Sequence, residues 1–351
     1  MDHPNQPQTV PPRPDGFCIG NVRISPPLAL APMAGHTDLV YRTLCKQFGC
    51  GIVYTELISA EGLIRNGKKT WEMIETTPEE QPLGVQIFGH NPETLAEAAR
   101  MLEAAGCYQM IDLNMGCPVP KVVSRGAGAA LMRNPSLVEK MVRAVADAVA
   151  LPVTAKTRAG WSDEEINALE VCQAIENGGG KAVAIHARPR SRKHDGEPML
   201  DLLAEIKGTL GIPVLGNGGI MTPEDALQMF DRTAVDAVML GRGALGNPWI
   251  FQQILQHMHG EPIHSPQPDE RRAVIEQHLR QTIRMFARRG FPQPEANACS
   301  YFRQQITSYV KGRRGARAVL RRMPEMVSAE NIMRILDEDL FSAAEHVESI
   351  P

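Results

Sequence analysis

The chain has 351 residues, of which 43% are hydrophobic and 22% charged, and a formal net charge of −3 at pH 7. This composition is typical of a soluble globular protein, and the length favours one large domain with a smaller one. No apolar run approaches the ~20 residues that span a bilayer, and no secretory signal is visible, so we expect a cytoplasmic protein with no membrane contact. The seven cysteines are scattered, which favours reduced thiols and argues against a metal site.

The predicted elements begin after residues 1–15, which are rich in proline and polar residues and indicate a disordered leader. From there, short apolar runs alternate with helical patterns such as 92–105 and 135–149. An α/β fold of the (β/α)₈ TIM barrel type explains this alternation better than a Rossmann sheet, because no G-x-G-x-x-G motif follows a strand. The predicted strands are 28–31, 52–55, 83–87, 110–113, 153–156, 182–185, 214–216 and 237–240.

The C-terminal part of the chain has a different pattern. The barrel domain is predicted to occupy residues 16–259, and the segment 260–268 (GEPIHSPQP) is typical of a linker. The remaining residues, 269–351, are predicted to form a small all-α helical bundle. Its predicted helices are 269–289, 296–311, 315–323 and 329–344.

Polar and glycine residues collect directly after seven of the predicted strands. Each has a structural explanation when taken alone, as a buried amide, a rim lysine or a plain turn. Together they fall at the carboxyl ends of the strands, the face on which barrel enzymes carry their active sites. In strand order they are Pro32, Met33, Ala34 and Gly35; Gln86; Asn114 and Cys117; Lys156 and Arg158; His186 and Arg188; Asn217, Gly218 and Gly219; Gly241, Arg242 and Gly243.

Cys117 is the candidate reacting group. It lies in the segment DLNMGCP, where Gly116 and Pro118 force a turn after a buried strand. A free thiol with an ordinary pKa near 8.5 is mostly protonated at neutral pH, so it can donate a proton or act as a nucleophile. The alternative is that Cys117 is a small buried filler.

The glycine turns after the seventh and eighth strands indicate a phosphate site, since their backbone N–H groups are accessible there. With an amide and an amine deeper in the barrel, the site suits FMN. Lys156 would place positive charge at the N1/O2 edge of the flavin, and Gln86 would hydrogen-bond the ring. Composition alone does not distinguish a flavin from a sugar phosphate.

The first part of the predicted bundle carries a strong positive charge. Residues 269–322 contain 13 basic and 4 acidic residues, a net charge of +9. This asymmetry favours a polyanion partner, although such runs also occur on solvated helix faces. Two sets of arginines recur at helical spacing and are candidate RNA-binding residues: Arg280, Arg284 and Arg288, and Arg313, Arg317 and Arg321.

Seven motifs occur in an order that resembles a known family. They are APMAGHTD (31–38), VQIFG (85–89), DLNMGCPVPKVVSRGAGAALM (112–132), AKTRAGW (155–161), IHAR (185–188), NGGI (217–220) and MLGRGALGNPWIF (239–251). In these motifs the chain resembles the tRNA-dihydrouridine synthases, most closely the bacterial B-type group. The resemblance implies a flavin barrel, a helical tRNA-binding domain, and NADPH- or NADH-dependent reduction of the uracil C5–C6 double bond in tRNA.

The resemblance also implies a role for each site residue. Cys117 would protonate C5 after hydride transfer from FMN N5 to C6, while Asn114, Arg158 and His186 would hold a uracil flipped out of the RNA. We expect a monomer without a metal. The FMN contacts map to Pro32, Met33, Ala34, Gln86, Lys156, Asn217, Gly218, Gly219, Gly241 and Arg242.

The chain departs from the family pattern at two places. The family usually has NGD where this chain has Asn217-Gly218-Gly219, and IHGRTR where this chain has Ala187 and Pro189. We interpret both as drift, with altered substrate preference as the alternative. Two other functions stay open: a small-molecule flavin barrel oxidoreductase, such as a dihydroorotate dehydrogenase or an ene reductase, and an RNA-binding protein without turnover.

Overall fold

A computed structural model of the chain describes residues 15–342. The predicted leader lies outside the described residues except for Asp15, and so does the end of the last predicted helix. The strands are β1 (Phe17–Ile19), β2 (Val22–Ile24), β3 (Leu28–Leu30), β4 (Val53–Tyr54), β5 (Ile58–Ser59), β6 (Leu83–Phe88), β7 (Met110–Asn114), β8 (Val153–Arg158), β9 (Gly160–Ser162), β10 (Glu165–Ile166), β11 (Ala182–His186), β12 (Val214–Asn217) and β13 (Ala237–Leu240).

The helices fill the connections between barrel strands and form the C-terminal part. They are α1 (Leu39–Gln47), α2 (Ala60–Ile64), α3 (Lys68–Met73), α4 (Pro92–Ala105), α5 (Pro120–Val123), α6 (Pro135–Ala146), α7 (Ala168–Asn177), α8 (Leu200–Thr209), α9 (Pro223–Thr233), α10 (Ile250–His259), α11 (Pro268–Arg288), α12 (Pro294–Val310), α13 (Ala316–Arg321) and α14 (Ala329–Leu336). Short 3₁₀ turns and a π-helical turn at Asp337–Phe341 complete the helical structure of the described residues.

The barrel strands run parallel around one ring. Their hydrogen-bonded order is β3-β13-β12-β11-β8-β7-β6-β4, and β5 also pairs with β6. A parallel bridge between Ala29 and Ile52 joins β3 to the residue that precedes β4, so the ring closes. The predicted strands and the predicted (β/α)₈ TIM barrel are confirmed.

One end of the barrel is covered by a hairpin that the sequence patterns did not predict. Strands β1 and β2 pair antiparallel, and Ile19 packs in the same apolar cluster as the barrel residues Ala184 and Met239. At the hairpin tip, a Cβ on Gly20 would lie 3.0 Å from Pro152, which directly precedes β8. The hairpin therefore covers the amino-terminal end of the strands and leaves the carboxyl end for the site.

A polar layer lies inside the barrel, two residues before the level of Asn114 and Lys156 along the strands. Gln86, Asp112 and Thr154 are aligned on the neighbouring strands β6, β7 and β8. Gln86 Nε2 donates to Asp112 Oδ2 at 2.6 Å, and Thr154 Oγ1 donates to Asp112 Oδ1 at 2.6 Å. Burial raises the pKa of Asp112 to about 6, although both hydrogen bonds favour its charged form. This layer fixes the side-chain amide of Gln86.

The C-terminal helices α11 to α14 form a second apolar core. Leu279 of α11, Phe302 and Ile306 of α12, and Ile332 and Leu336 of α14 are all fully buried in it. Their recurrence at helical spacing produces the amphipathic pattern on which the bundle prediction depended.

The bundle packs directly against the barrel loop that follows β3. Tyr301 Oη donates to Asp38 Oδ2 at 2.9 Å, and Gln304 Nε2 lies 2.9 Å from His36 Nε2. Further along, Arg289 Nε donates to Glu75 Oε2 at 3.0 Å. Because the residues before His36 are predicted site residues, the bundle supports one wall of the candidate site.

Asp112→Asn removes a carboxyl group whose ionisation the barrel interior opposes. Its folded-state pKa of about 6 lies above the ordinary value of 3.8, so its ionisation lowers stability as the pH rises between these values. At 1.36 kcal/mol per pKa unit, the free energy of unfolding of the wild type should fall by ~3 kcal/mol as Asp112 ionises. Asp112→Asn, which has no carboxyl group to ionise there, should not show this decrease. Urea unfolding at a series of pH values measures this difference.

The matched control is Asp201→Asn, at a side chain that is 94% exposed. Its unfolding free energy should follow the wild-type pH dependence. If the curves of wild type and Asp112→Asn ran parallel between pH 4 and 7, the carboxyl group of Asp112 would not be desolvated as described.

Candidate active site

A cavity of about 340 Å³ opens at the carboxyl ends of the barrel strands. This volume is in the range of small-molecule and cofactor sites. Apolar side chains form part of its lining, namely Leu57, Val119, Met221 and Met239. The cavity is also lined by nearly all the predicted site residues: Pro32, Met33, Ala34, Asn114, Cys117, Lys156, Arg158, His186, Asn217, Gly218, Gly219, Gly241 and Arg242.

Cys117 borders this cavity on the turn between β7 and α5. Asn114 Oδ1 accepts hydrogen bonds from Cys117 N at 2.9 Å and from Gly116 N at 3.3 Å, which fixes the turn. The turn is also closely packed, since a Cβ on Gly128 would lie 2.7 Å from the Cys117 carbonyl oxygen. The thiol is half-buried and lines the cavity, unlike the fully buried Cys172. The thiol is therefore accessible from the cavity, and its role as the reacting group stays a prediction.

Gln86 is the predicted contact that does not line the cavity. It is fully buried, and its Oε1 accepts a hydrogen bond from Asn114 Nδ2 at 2.8 Å while its Nε2 donates to Asp112. A chain of hydrogen bonds thus runs from Asp112 through Gln86 and Asn114 to the backbone of Cys117. The predicted contact of Gln86 with a flavin ring stays a prediction.

Lys156 lies at the base of the cavity and is held by Asn217. Its Nζ donates to Asn217 Oδ1 at 3.1 Å, and Asn217 Nδ2 donates to the Met239 carbonyl at 2.6 Å. Burial and the nearby charge of Arg158 lower the pKa of Lys156 to about 8. The amine is still mostly charged at pH 7, and an anion beside it would stabilise that charge.

Arg158 and His186 end the neighbouring strands β8 and β11, and both line the cavity. Arg158 Nε donates to the Gly116 carbonyl at 2.8 Å, and burial lowers the pKa of Arg158 to about 10. Burial and the charges of Lys156 and Arg158 hold the pKa of His186 far below its usual range, so its ring is neutral at pH 7. A neutral imidazole and a charged guanidinium can both donate hydrogen bonds to a carbonyl oxygen.

The cavity lining is strongly cationic. Its basic lining residues are Lys156, Arg158, Arg188 and Arg242, and none of the described residues that line it is an aspartate or glutamate. Such a site favours an anionic ligand. Arg188 stood in the predicted strand-end set, although no role was assigned to it. His194, also a lining residue, comes from the long loop before α8 and had no sequence signal.

Of the two departures from the family pattern, one lies at the cavity and the other does not. Gly219 lines the cavity and has a left-handed backbone, with φ of 80°. Ala187 and Pro189 are buried and do not line it.

The first predicted arginine set lies on one face of α11, but two of its members are paired. Arg280 Nε donates to Glu276 Oε1 at 2.8 Å, and Arg288 Nη2 lies 3.3 Å from Glu75 Oε1. Within residues 15–342, Arg284 has no hydrogen-bond or ion-pair partner. Carboxylate pairing reduces what Arg280 and Arg288 offer to a polyanion.

The second arginine set does not lie on one helix, so the helical spacing predicted for it is wrong at Arg313. The chain turns at Gly312 (φ 75°) and Gly315 (φ 84°), so Arg313 lies between α12 and α13. Arg317 and Arg321 are exposed on α13 and have no ion-pair partner in the described part of the chain. The residues that precede α13, Lys311 and Arg314, are likewise exposed and unpaired there.

Residues 15–342 contain neither a metal-ligand cluster nor a helix suited to a membrane. No cluster of three or more His, Cys, Asp or Glu side chains has the arrangement of a metal site. None of the helices described is both long and apolar enough to cross a membrane.

Comparison with known proteins agrees with the geometry. The sequence matches the family described as Dihydrouridine synthase (Dus) over residues 29–345. It is 36% identical over 306 residues to a probable tRNA-dihydrouridine synthase of Treponema pallidum, covering 85% of this chain and 88% of the relative. It is 40% identical over 262 residues to tRNA-dihydrouridine synthase B of Pseudomonas putida, covering 74% and 77%.

A solved structure, the histamine dehydrogenase from Rhizobium sp. 4-9, shares the fold with a TM-score of 0.53 and 13% identity, covering 76% of this chain and 50% of that one. Identity this low supports the barrel fold alone. The family match and the two relatives cover most of the sequence, and the chain belongs to the dihydrouridine synthase family.

Proposed function

We propose that this protein reduces the C5–C6 double bond of uridines in tRNA to give 5,6-dihydrouridine, with FMN as cofactor and NADPH or NADH as reductant. The observation that carries the proposal is the convergence of Cys117 with Lys156, Arg158 and His186 on one cavity. Membership in the dihydrouridine synthase family supports the same reaction.

The residues at the mouth of the barrel fit the flavin phosphate. At Gly218, with φ of 119°, a Cβ would lie 2.8 Å from His186 Cδ2, so only glycine allows this backbone path. An uncovered turn of this kind offers backbone N–H groups to a phosphate, and Arg242 adds a guanidinium. Deeper in the cavity, Lys156 would lie by the N1/O2 edge of the ring and stabilise negative charge there.

In the proposed chemistry, the hydrogen added to C6 of the uracil comes from the flavin and the one added to C5 comes from Cys117. When bound, reduced FMN supplies a hydride to C6 of the uracil. Cys117 gives its thiol proton to C5, and solvent then restores the thiol. Asn114, Arg158 and His186 hold the uracil carbonyls, and the charge of Arg158 stabilises the enolate character that develops on the ring. The uridine enters flipped out of the RNA stack.

The helical bundle supports tRNA as the substrate over a small molecule. The bundle has exposed cationic side chains that a small substrate would not need, namely Lys311, Arg314, Arg317 and Arg321. We propose residues 16–259 as the catalytic domain, 260–268 as the linker and 269–351 as the tRNA-binding domain. We further propose that the protein acts as a monomer in the cytoplasm.

Cys117→Ala should lower the rate of dihydrouridine formation by about 10²- to 10⁴-fold, because a positioned general acid is lost. Flavin binding and NADPH oxidation should stay near wild-type values, since neither needs the thiol. The measurement is mass spectrometry of unmodified tRNA transcripts incubated with the purified protein, FMN and NADPH.

The control is Cys18→Ala, which removes an exposed thiol on β1 far from the cavity and should leave the rate unchanged. A wild-type rate in Cys117→Ala would exclude the acid role. If the wild-type protein formed no dihydrouridine in any tRNA transcript, the proposed function itself would be wrong.

Arg317→Gln combined with Arg321→Gln should weaken tRNA binding, because both guanidinium groups are exposed and have no ion-pair partner within residues 15–342. The slope of log affinity against log salt concentration should become shallower by about one for each phosphate that the variant no longer binds. Filter binding at a series of salt concentrations measures both effects, and flavin content should not change.

The matched control for charge is Arg280→Gln combined with Arg288→Gln, which removes the same charge from arginines already paired with Glu276 and Glu75. We expect a smaller decrease in affinity from this pair. Equal decreases from both double variants would show that only total charge matters, and no decrease from either would remove the bundle from the RNA interface.

A further inference from the structure

Arg188 lies where β11 ends and borders the cavity. The residue is 5% exposed, and its Nε donates to the Gly196 carbonyl at 2.8 Å. Its Nη1 lies 3.4 Å from His186 Nε2. With Nε engaged and the backbone of the loop behind it, the guanidinium presents its two terminal nitrogens toward the cavity wall formed by the turn after β12.

This turn and the guanidinium are in close contact. A Cβ built on Gly218 would lie 3.2 Å from Arg188 Nη1, and one on Gly219 would lie 3.7 Å from Arg188 Nη2. The two glycines therefore bring Arg188 against the backbone amides that the proposed phosphate site uses. Arg242 lies near enough that its charge lowers the pKa of Arg188, in addition to the larger effect of burial.

The absence of an acidic side chain at position 219 leaves the cavity wall around Arg188 more positively charged. An aspartate there, as in the usual NGD pattern, would begin within 4 Å of Arg188 Nη2 and could neutralise it. In this chain Asp195 and Glu197 act on Arg188 from the neighbouring loop, but both are exposed and neither lines the cavity. Neither carboxylate has a hydrogen bond to Arg188 within the described residues.

We propose that Arg188 is a second guanidinium ligand, beside Arg242, for the terminal phosphate of the flavin, and that Gly219 keeps it free for this role. The inference rests on the proposed function, since it concerns the cofactor of the same cavity. Two guanidinium groups and an uncovered glycine turn match the charge and the several acceptor oxygens of a phosphate monoester. Arg188 would then increase the affinity for FMN but not for riboflavin, which lacks the phosphate.

The test compares dissociation constants for FMN and riboflavin, measured by quenching of flavin fluorescence on the full-length apoprotein. Loss of a charge-assisted hydrogen bond should lower FMN affinity by ~10- to 100-fold in Arg188→Ala, with riboflavin affinity unchanged. Arg188→Lys should recover part of the affinity. Gly219→Asp should lower FMN affinity more than Gly219→Asn does, because both variants strain the left-handed backbone at this position but only the carboxylate would pair with Arg188 and repel phosphate.

Arg192→Ala is the matched control, since Arg192 lies in the same loop and is paired with Asp163. It should keep the wild-type preference. If Arg188→Ala bound FMN as tightly as wild type, the inference would be wrong while the proposed function stood. If it weakened FMN and riboflavin equally, Arg188 would only support the fold of the site. If the wild type bound neither flavin, the proposed function would fail, and this inference with it.

Discussion

Parallel pairing of every barrel strand is the constraint on which the site depends. It brings all the strand ends to one face, so residues from Pro32 to Arg242 meet around a single cavity. The same pairing aligns Gln86, Asp112 and Thr154 across three strands, and their hydrogen bonds reach Cys117 through Asn114. The position of the thiol is therefore set by backbone register inside the barrel as well as by the turn that carries it.

The second constraint is electrostatic. Burial and mutual repulsion lower the pKa values of Lys156, Arg158 and Arg188, and they keep His186 neutral. Holding several cations in a partly desolvated cavity is unfavourable without a counterion. An anionic ligand would offset this cost, and the proposed function places two such groups in the cavity, the phosphate of the cofactor and the negative charge that develops on the uracil.

Much of this arrangement could be predicted from the sequence. The apolar runs indicated the barrel strands, and the residues that follow them indicated the cavity lining, because strand ends in a barrel converge whatever the loops do. The hairpins β1–β2 and β9–β10 were missed because strands of two or three residues show no clear alternation. The hydrogen bond between Gln86 and Asp112 was missed because strand register brings the two residues together, and spacing along the chain does not show that register. Arg313 was misplaced because two glycines interrupt the helical pattern, and the pairing of Arg288 with Glu75 joins residues distant in sequence.

The central claim is that one cavity brings a reduced flavin and a tRNA uracil together. The most direct test mixes the chemically reduced holoprotein with unmodified tRNA transcripts under anaerobic conditions and follows flavin absorbance by stopped flow. The account predicts that tRNA reoxidises the flavin, with one dihydrouridine formed for each flavin oxidised, and that free uridine monophosphate reacts far more slowly. A flavin that stays reduced with every transcript, yet reoxidises when oxygen is admitted, would contradict the account.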